Sequence, residues 1–175
     1  LEQVRSDAAA LSLEEIQAGV VAEGVEPVIL ARRFGVPVAL MLRRLAALPQ
    51  LGAGLVVCDR SGTVIFRKSI DGFSVPRFDS CCPLWPLFAA LAAPGSVLRE
   101  RVGQLGRGRT QFDAFATTEL ATAHDYNSPA PARGVMLLVR APAGDASAPV
   151  RAVGATCRIC PHERCHARRE PSIMR

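Results

Sequence analysis

The sequence predicts an α+β fold in which an N-terminal helical segment precedes an antiparallel sheet and a C-terminal cysteine-rich tail. Three observations predict this class. Apolar residues recur at helical spacing over residues 1–50, short β-rich segments separated by turn residues follow from residue 54, and three cysteines fall between residues 157 and 165. Because 49% of the 175 residues are apolar, the chain has enough apolar side chains for one hydrophobic core.

The helices are predicted mainly from their termini. Ser12 and Glu15 have the spacing of a capping box, which places the start of a helix after Ser12. A second helix is predicted over residues 26–34 and ends at Gly35, since glycine commonly terminates helices. Pro37 suits the first turn of a third helix, and leucines follow it at helical spacing.

The second and third helices, joined through Gly35, resemble a helix-turn-helix. A helix that reads DNA needs polar side chains near its start, and residues 37–41 supply none. We therefore expect this pair of helices to serve packing or dimerisation rather than DNA recognition.

From residue 54 the pattern changes to strands. Segments 54–59 and 63–70 flank a turn and predict a β-hairpin, and an apolar helix is predicted over residues 83–92. Four further strands are predicted at residues 97–105, 111–118, 135–141 and 150–155, with loops at 122–133 and 142–149. Two strands, a helix and then sequential strands form the layout of PAS-like and GAF-like sensor domains, with helices on one face of an antiparallel sheet.

Composition and charge indicate where the protein is located and which kinds of partner it can contact. Every apolar segment is interrupted by charge or proline before it reaches membrane-spanning length, so we expect no membrane contact. The adjacent Cys81 and Cys82 are poorly placed for disulfides, which favours a reducing, cytoplasmic location. The net charge is +5, and arginines surround the tail cysteines. They indicate a solvated basic tail, or alternatively charge compensation for thiolates or contact with an anionic ligand or nucleic acid.

Cysteine spacing is the strongest chemical signal in the chain. Cys157, Cys160 and Cys165 form a C-x2-C-x4-C pattern that suits a metal centre, and the pair Cys81-Cys82 can supply a fourth thiol. Three clustered cysteines and a distant fourth favour an iron–sulfur cubane slightly over zinc. A structural zinc site remains the alternative, and His162 and His166 are available to it as further ligands. A third reading, without any metal, leaves three clustered thiols open to oxidation.

Several segments resemble one family. They are residues 54–59, 75–78, 82–88 and 153–160, which include the motifs Cys-Pro-Leu-Trp and Cys-Arg-Ile-Cys, and the closing motif at 165–171. These segments resemble the C-terminal domain of short-chain fatty acyl regulators, bacterial transcription factors of propionate and acetate metabolism. The resemblance runs from about residue 51 to residue 171.

The resemblance implies a cofactor, a ligand and a division of the chain. It implies an iron–sulfur cluster of the [4Fe–4S] type with these ligands: Cys82, Cys157, Cys160 and Cys165. It also implies binding of an acyl-coenzyme A, DNA binding only through an N-terminal domain outside this chain, and a possible homodimer. Residues 1–50 would end a preceding regulatory domain, and residues 51–175 would form the ligand-sensing domain. The metalloprotease-type His-Glu-x-x-His motif is absent, so no peptidase activity is expected.

The leading hypothesis is therefore a sensory module whose ligand and cluster act on a DNA-binding domain elsewhere. Coenzyme A phosphates need basic residues as binding partners. Arg77 is the preferred candidate, because Arg67 and Lys68 fit the solvent-exposed face of a strand. Trp85 and Phe88 fit a core better than an acyl slot. The alternative is a structural zinc module that serves only dimerisation. An enzyme with a cysteine nucleophile is not expected, since no orienting Asp or Asn accompanies the tail histidines.

Overall fold

The computed structural model of the chain describes residues 2–77, 80–106, 108, 110–121, 126, 131–142 and 148–174. Its helices are α1 (Glu2–Ala10), α2 (Leu13–Glu23), α3 (Pro27–Phe34), α4 (Val38–Ala47) and α5 (Pro86–Ala92). Its strands are β1 (Gly54–Cys58), β2 (Val64–Lys68), β3 (Val97–Gln104), β4 (Gln111–Leu120), β5 (Ala132–Arg140) and β6 (Val150–Val153). Short 3-10 helices occupy Pro49–Leu51 and Cys157–Ile159.

The helix termini follow the local chemistry that predicts them. Ser12 Oγ accepts a hydrogen bond from the Glu15 amide at 3.2 Å, and the Glu15 carboxylate accepts one from the Ser12 amide at 2.9 Å, so the capping box is confirmed. Gly35 ends α3 in the left-handed region with φ 64°, which glycine adopts without a steric penalty. One helix that the sequence analysis does not separate, α1, precedes the capping box.

Helix α4 is the central packing helix of the N-terminal segment. Its Met41, Leu42 and Leu45 are fully buried, and they join a core that includes Leu55 and Val57 of β1. The second helix of the apparent helix-turn-helix therefore packs on the sheet. This agrees with the expectation that the pair serves packing.

The sheet has six strands in the order β2-β1-β5-β4-β3-β6. The five neighbours from β2 to β3 pair antiparallel, as the sequence predicts for a PAS-like or GAF-like layout. Strand β6 pairs parallel with β3, so the sheet is mixed rather than antiparallel throughout. Only strands joined by a tight hairpin must run antiparallel, and β6 follows β5 in the chain but pairs with β3.

Helices cover both faces of this sheet, whereas the sequence analysis expects them on one. Alternate residues of β1 point to opposite faces, so Leu55 and Val57 meet the N-terminal helices while Val56 and Cys58 join the core beneath α5. Helix α5 begins three residues later than predicted, because Cys82 to Trp85 take part in a different contact described below. Strand β5 begins at Ala132, inside a segment expected to be a loop, because Ala132 pairs with Leu120 of β4.

Since α2, α3 and α4 share one core with the sheet, the division of the chain at residue 50 stays a prediction. Across the described part of the chain, no helix combines the length and the apolar character that crossing a membrane requires.

The shared core predicts cooperative unfolding. Leu45→Ala, at a fully buried position, should lower the free energy of unfolding by about 2–5 kcal/mol because a cavity replaces packed methyl groups. The fluorescence of Trp85, the single tryptophan, reports the sheet core, and far-ultraviolet circular dichroism reports the helices. Both signals should shift together in a urea titration.

Val21→Ala is the matched control, because Val21 is 82% exposed and its truncation should change the free energy of unfolding by no more than about 0.5 kcal/mol. If Leu45→Ala displaced the circular dichroism transition and left the fluorescence transition in place, the helices and the sheet would be separate folding units.

Candidate metal centre

The site is built on a contact between two distant segments, the chain before α5 and the end of β6. The Cys82 amide donates to the Ala155 carbonyl at 2.9 Å. The Gly154 amide donates in turn to Cys82 Sγ at 3.3 Å. This pairing brings Cys82 beside residues that lie 72 positions later in the chain.

Gly154 is held from several sides. Its carbonyl accepts a hydrogen bond from Trp85 Nε1 at 2.8 Å and a longer one from Gln104 Nε2 at 3.4 Å. Gln104 also fixes the backbone of Ser74, with its Oε1 accepting from the Ser74 amide at 2.6 Å and its Nε2 donating to the Ser74 carbonyl at 2.9 Å. Both Trp85 and Gln104 are buried, so these bonds are shielded from water.

Gly154 also makes room for a second cysteine. A Cβ placed on Gly154 would lie 2.9 Å from Cys160 Sγ and 3.2 Å from Cys160 Cβ, both closer than ordinary van der Waals contact. Its φ is outside the left-handed region, so glycine is required here by space rather than by backbone conformation. The thiols of Cys82 and Cys160 thus both lie beside Gly154.

Cys157 is positioned by the short 3-10 helix that it begins. Thr156 caps this helix, with its Oγ1 accepting from the Arg158 amide at 3.2 Å. Cys157 Sγ accepts from the Arg169 amide at 3.5 Å. The returning tail therefore closes over the first cysteine of the motif.

The Arg168 guanidinium organises the loop between the cysteines. Its Nη atoms donate to the carbonyls of Cys157 at 3.0 Å, Cys160 at 3.3 Å and Glu170 at 3.4 Å, and to that of His162. A single cation thus orients carbonyls on both sides of Cys165. The Ile173 amide then donates to the Arg158 carbonyl at 2.9 Å, which docks the end of the tail.

The four predicted ligands differ in exposure. Cys82, Cys157 and Cys160 are buried, and Cys165 is half-buried in the turn that Arg168 surrounds. Among the described residues, no group of three or more His, Cys, Asp or Glu side chains already stands in an arrangement that could hold a metal ion. The assignment of these cysteines as ligands therefore stays a prediction.

The residues present nevertheless fit a sulfur-ligated cluster. All four cysteines are free thiols, and soft sulfur ligands are those that iron–sulfur clusters use. Backbone amides donate to the sulfurs of Cys82 and Cys157, and such hydrogen bonds stabilise ligating thiolates and tune a cluster. When bound, such a cluster supplies one-electron redox chemistry or a structural link.

The adjacent Cys81 and Cys82 occupy different surroundings. Burial raises the pKa of Cys82, while the amides of Gly154 and Leu84 act in the opposite direction by hydrogen bonding. Burial raises the pKa of Cys81 to about 12, and the neighbouring Cys58 and Cys82 contribute to that rise. Cys58 is fully buried in β1, as expected for a small hydrophobe, and burial raises its pKa as well. The thiols whose charges act on the pKa of Cys81 are thus Cys58 and Cys82, whereas those that act on the pKa of Cys82 are Cys157 and Cys160.

The residues predicted to bind the ligand differ in their surroundings. Arg77 is exposed, and Arg67 donates to the Pro76 carbonyl at 2.9 Å next to it. Trp85 is 1% exposed and belongs to the core, as expected, and half-buried Phe88 stacks on it with ring centroids 6.5 Å apart. Phe78, the last residue of one resembling segment, lies outside the described residues.

Sequence reasoning misses three residues that build this site: Gly154, Gln104 and Arg168. A glycine directly after a strand is a signal for close backbone approach, so Gly154 was open to detection. Nothing in the local sequence distinguishes Gln104 or Arg168 from ordinary polar residues, because their partners are set by the fold.

Comparison with known proteins gives the family context. Residues 48–175 match the family described as "Short-chain fatty acyl coenzyme A regulator, C-terminal". The chain is 30% identical over 158 residues to the propionyl-CoA carboxylase regulator of Cereibacter sphaeroides, covering 82% of this chain and 34% of that protein. It is 30% identical over 172 residues to the HTH-type transcriptional regulator PrpR of Mycobacterium tuberculosis, covering 83% and 33%.

A third relative is the HTH-type transcriptional regulator RamB of Mycobacterium tuberculosis, 29% identical over 130 residues, covering 67% of this chain and 27% of that protein. A solved Mycobacterium tuberculosis transcriptional regulator superposes with a TM-score of 0.77 at 24% identity, covering 96% of this chain and 55% of that one. That likeness establishes a shared fold. The chain spans about one third or less of the length of the curated relatives it matches.

The tight fit at Gly154 generates a test of the site. Gly154→Ala should displace the Cys160 thiol and weaken the contact with Cys82, lowering the free energy of unfolding by about 1–3 kcal/mol. Protein prepared without oxygen should also retain less bound metal. Gly103→Ala is the control, because its added Cβ meets only a Val150 methyl group at 3.3 Å. If the two variants retained equal amounts of metal, Gly154 would not be part of the metal site.

Proposed function

The chain belongs to the short-chain fatty acyl coenzyme A regulator family, and we propose that it is a sensory domain that carries an iron–sulfur cluster and binds an acyl-coenzyme A. The family is one of regulators and not of enzymes. The observation that supports the proposal is the pairing of Cys82 with Gly154 and Ala155, because it holds Cys82 beside the end of the strand that leads into the tail cysteines.

The cluster proposal assigns Cys82, Cys157, Cys160 and Cys165 as ligands of a [4Fe–4S] centre. Cys82, Cys157 and Cys160 are buried. Cys165 is half-buried, and it lies in the loop whose carbonyls accept hydrogen bonds from Arg168. Binding a cluster would fix this loop against the end of β6, since ligand bonds would join it to Cys82. Arginines near the site would compensate the negative charge that thiolates introduce.

Support for an acyl-coenzyme A ligand comes from the family description and from the name of the propionyl-CoA carboxylase regulator. Arg77 is the proposed phosphate partner. Its exposure leaves the guanidinium free to meet a phosphate, and its segment is fixed by the Arg67 bond to Pro76 and by Gln104 at Ser74.

The regulatory output of the domain would reach DNA through another part of a longer protein. RamB and PrpR are named as HTH-type transcriptional regulators, and this chain matches about a third or less of each. The helix pair α3 and α4 does not supply the reader, because α4 buries its apolar side chains against the sheet. A homodimer is the assembly that we propose for the regulator.

The adjacent cysteines give a matched test of the ligand set. Cys82→Ala should abolish most of the visible absorption and most of the iron and acid-labile sulfide of anaerobically prepared protein. Cys81→Ala should leave these signals in place, because Cys81 belongs to the core cluster that contains Cys58, whereas it is the Cys82 thiol that accepts a hydrogen bond from Gly154. Both variants remove one buried thiol, so loss of stability alone does not separate them.

Metal analysis decides between this proposal and a structural zinc site. Stoichiometric zinc in a colourless protein prepared without oxygen would favour zinc-dependent dimerisation and would overturn the cluster. Equal cluster content in the Cys81 and Cys82 variants would overturn the assignment of Cys82.

Ligand binding is tested separately by calorimetry with acetyl- and propionyl-coenzyme A. Arg77→Gln should weaken binding by about tenfold, the equivalent of about 1.4 kcal/mol, because a phosphate loses its charged partner. Arg60→Gln, an exposed arginine in the hairpin turn, should leave the affinity unchanged. Wild-type protein that releases no heat and shows no binding by equilibrium dialysis would exclude the acyl-coenzyme A ligand.

A further inference from the structure

We propose that a cavity on the opposite side of the sheet from the cysteines binds a small amphipathic anion, with Arg44 as the partner of its negative group. The cavity has a volume of about 570 Å³ and lies between α1, α4 and the β1–β2 edge of the sheet. It contacts the face on which Leu55 and Val57 point, whereas Cys82 belongs to the core beneath α5. This inference is independent of the proposed cluster and of the Arg77 assignment.

The two carboxylates of the cavity are already committed to another arginine. Arg43 donates to Asp7 at 2.6 and 3.1 Å and to Glu119 at 3.0 and 3.2 Å, so it forms a bidentate bond with each acid. Burial acts against the charge of Arg43, but the hydrogen bonds to Asp7 and Glu119 hold the pKa of the guanidinium above its ordinary value. The hydrogen bonds of the Arg43 guanidinium are thus made to protein carboxylates, which leaves neither acid for a second arginine.

Arg44, the next residue, lacks such partners. Its side chain lines the cavity, the residue is 7% exposed, and within the described chain its Nε has no hydrogen-bond partner. A buried guanidinium N–H without a hydrogen-bond partner is costly, because it loses its bond to water without gaining another. The cost is removed if an anion enters the cavity and accepts its hydrogen bonds.

The remaining charges in the cavity also favour an anion. Lys68 Nζ donates to the Ala46 carbonyl at 2.5 Å at the end of α4, and Arg133 lies exposed at the rim. The described lining thus contains four cationic side chains against the two carboxylates that Arg43 binds. Among the described lining residues, the only acidic side chains are these two carboxylates.

The apolar part of the cavity defines the rest of the ligand. Leu55 and Val57 form a buried apolar wall, and Ile65 and Phe66 of β2 stand 52% and 49% exposed beside it. Large apolar side chains at a cavity mouth gain from covering by a ligand. The site therefore fits one carboxylate, sulfonate or phosphate group attached to a compact apolar body.

The test uses 8-anilinonaphthalene-1-sulfonate, whose aromatic body carries one sulfonate, and hexanoate as a competitor. Wild-type protein should bind the dye saturably, and hexanoate should displace it. Arg44→Met should lower the dye affinity at least tenfold, and Arg44→Lys should restore part of it. Arg32→Gln removes an exposed arginine outside the cavity lining and should match the wild type.

Thermal unfolding separates binding from a structural role. Without the probe, Arg44→Met should keep or raise the melting temperature, because an apolar side chain replaces an unpaired buried charge. With the probe, the melting temperature of the wild type should rise and that of Arg44→Met should not. The proposal is overturned if both proteins bind the dye and hexanoate equally, or if Arg44→Met alone melts far below the wild type and thereby shows that Arg44 supports the fold.

Discussion

The backbone pairing between Cys82 and the end of β6 is the constraint on which the rest of the site depends. Two reciprocal contacts, from the Cys82 amide to Ala155 and from the Gly154 amide to Cys82 Sγ, join segments that are otherwise remote in the chain. They fix where α5 can begin, because Trp85 must reach the Gly154 carbonyl from the residue just before that helix. They also fix where the tail starts, since Cys157 lies two residues after Ala155.

A charged side chain of the tail holds the backbone around the cysteines instead of only facing solvent. The guanidinium of Arg168 binds backbone carbonyls around the cysteines, a role that a planar group with five donors performs better than an ammonium. This arginine is one of those that the sequence indicates as a solvated tail or as charge compensation. The side chain of the neighbouring Arg169 is exposed, as expected for a solvated basic tail. Its backbone amide donates to Cys157 Sγ.

The two faces of one sheet carry different chemistry. The face under α5 holds Cys58, Cys81 and Cys82 within an apolar and aromatic core, where the ring centroids of Phe73 and Trp85 lie 5.1 Å apart. The face under α4 holds the arginine pair, one member fully paired and the other not. Because strands alternate their side chains, a single strand such as β1 contributes to both environments without mixing them.

The sequence alone determined the features that depend on near neighbours. The capping box at Ser12, the stop at Gly35, the hairpin around residue 61 and the fold class follow from interactions that span a few residues, and the family motifs identify the cysteines worth testing. The tertiary structure decided the parallel pairing of β6, the hydrogen bond from Gly154 to Cys82 Sγ, and the surroundings of Gly154, Arg168 and Arg44. Each of these depends on which distant backbone lies alongside, and no local pattern records that choice. A cysteine or arginine therefore has the same appearance in the sequence whether the fold leaves it in a core, in a candidate ligand set or unpaired in a cavity.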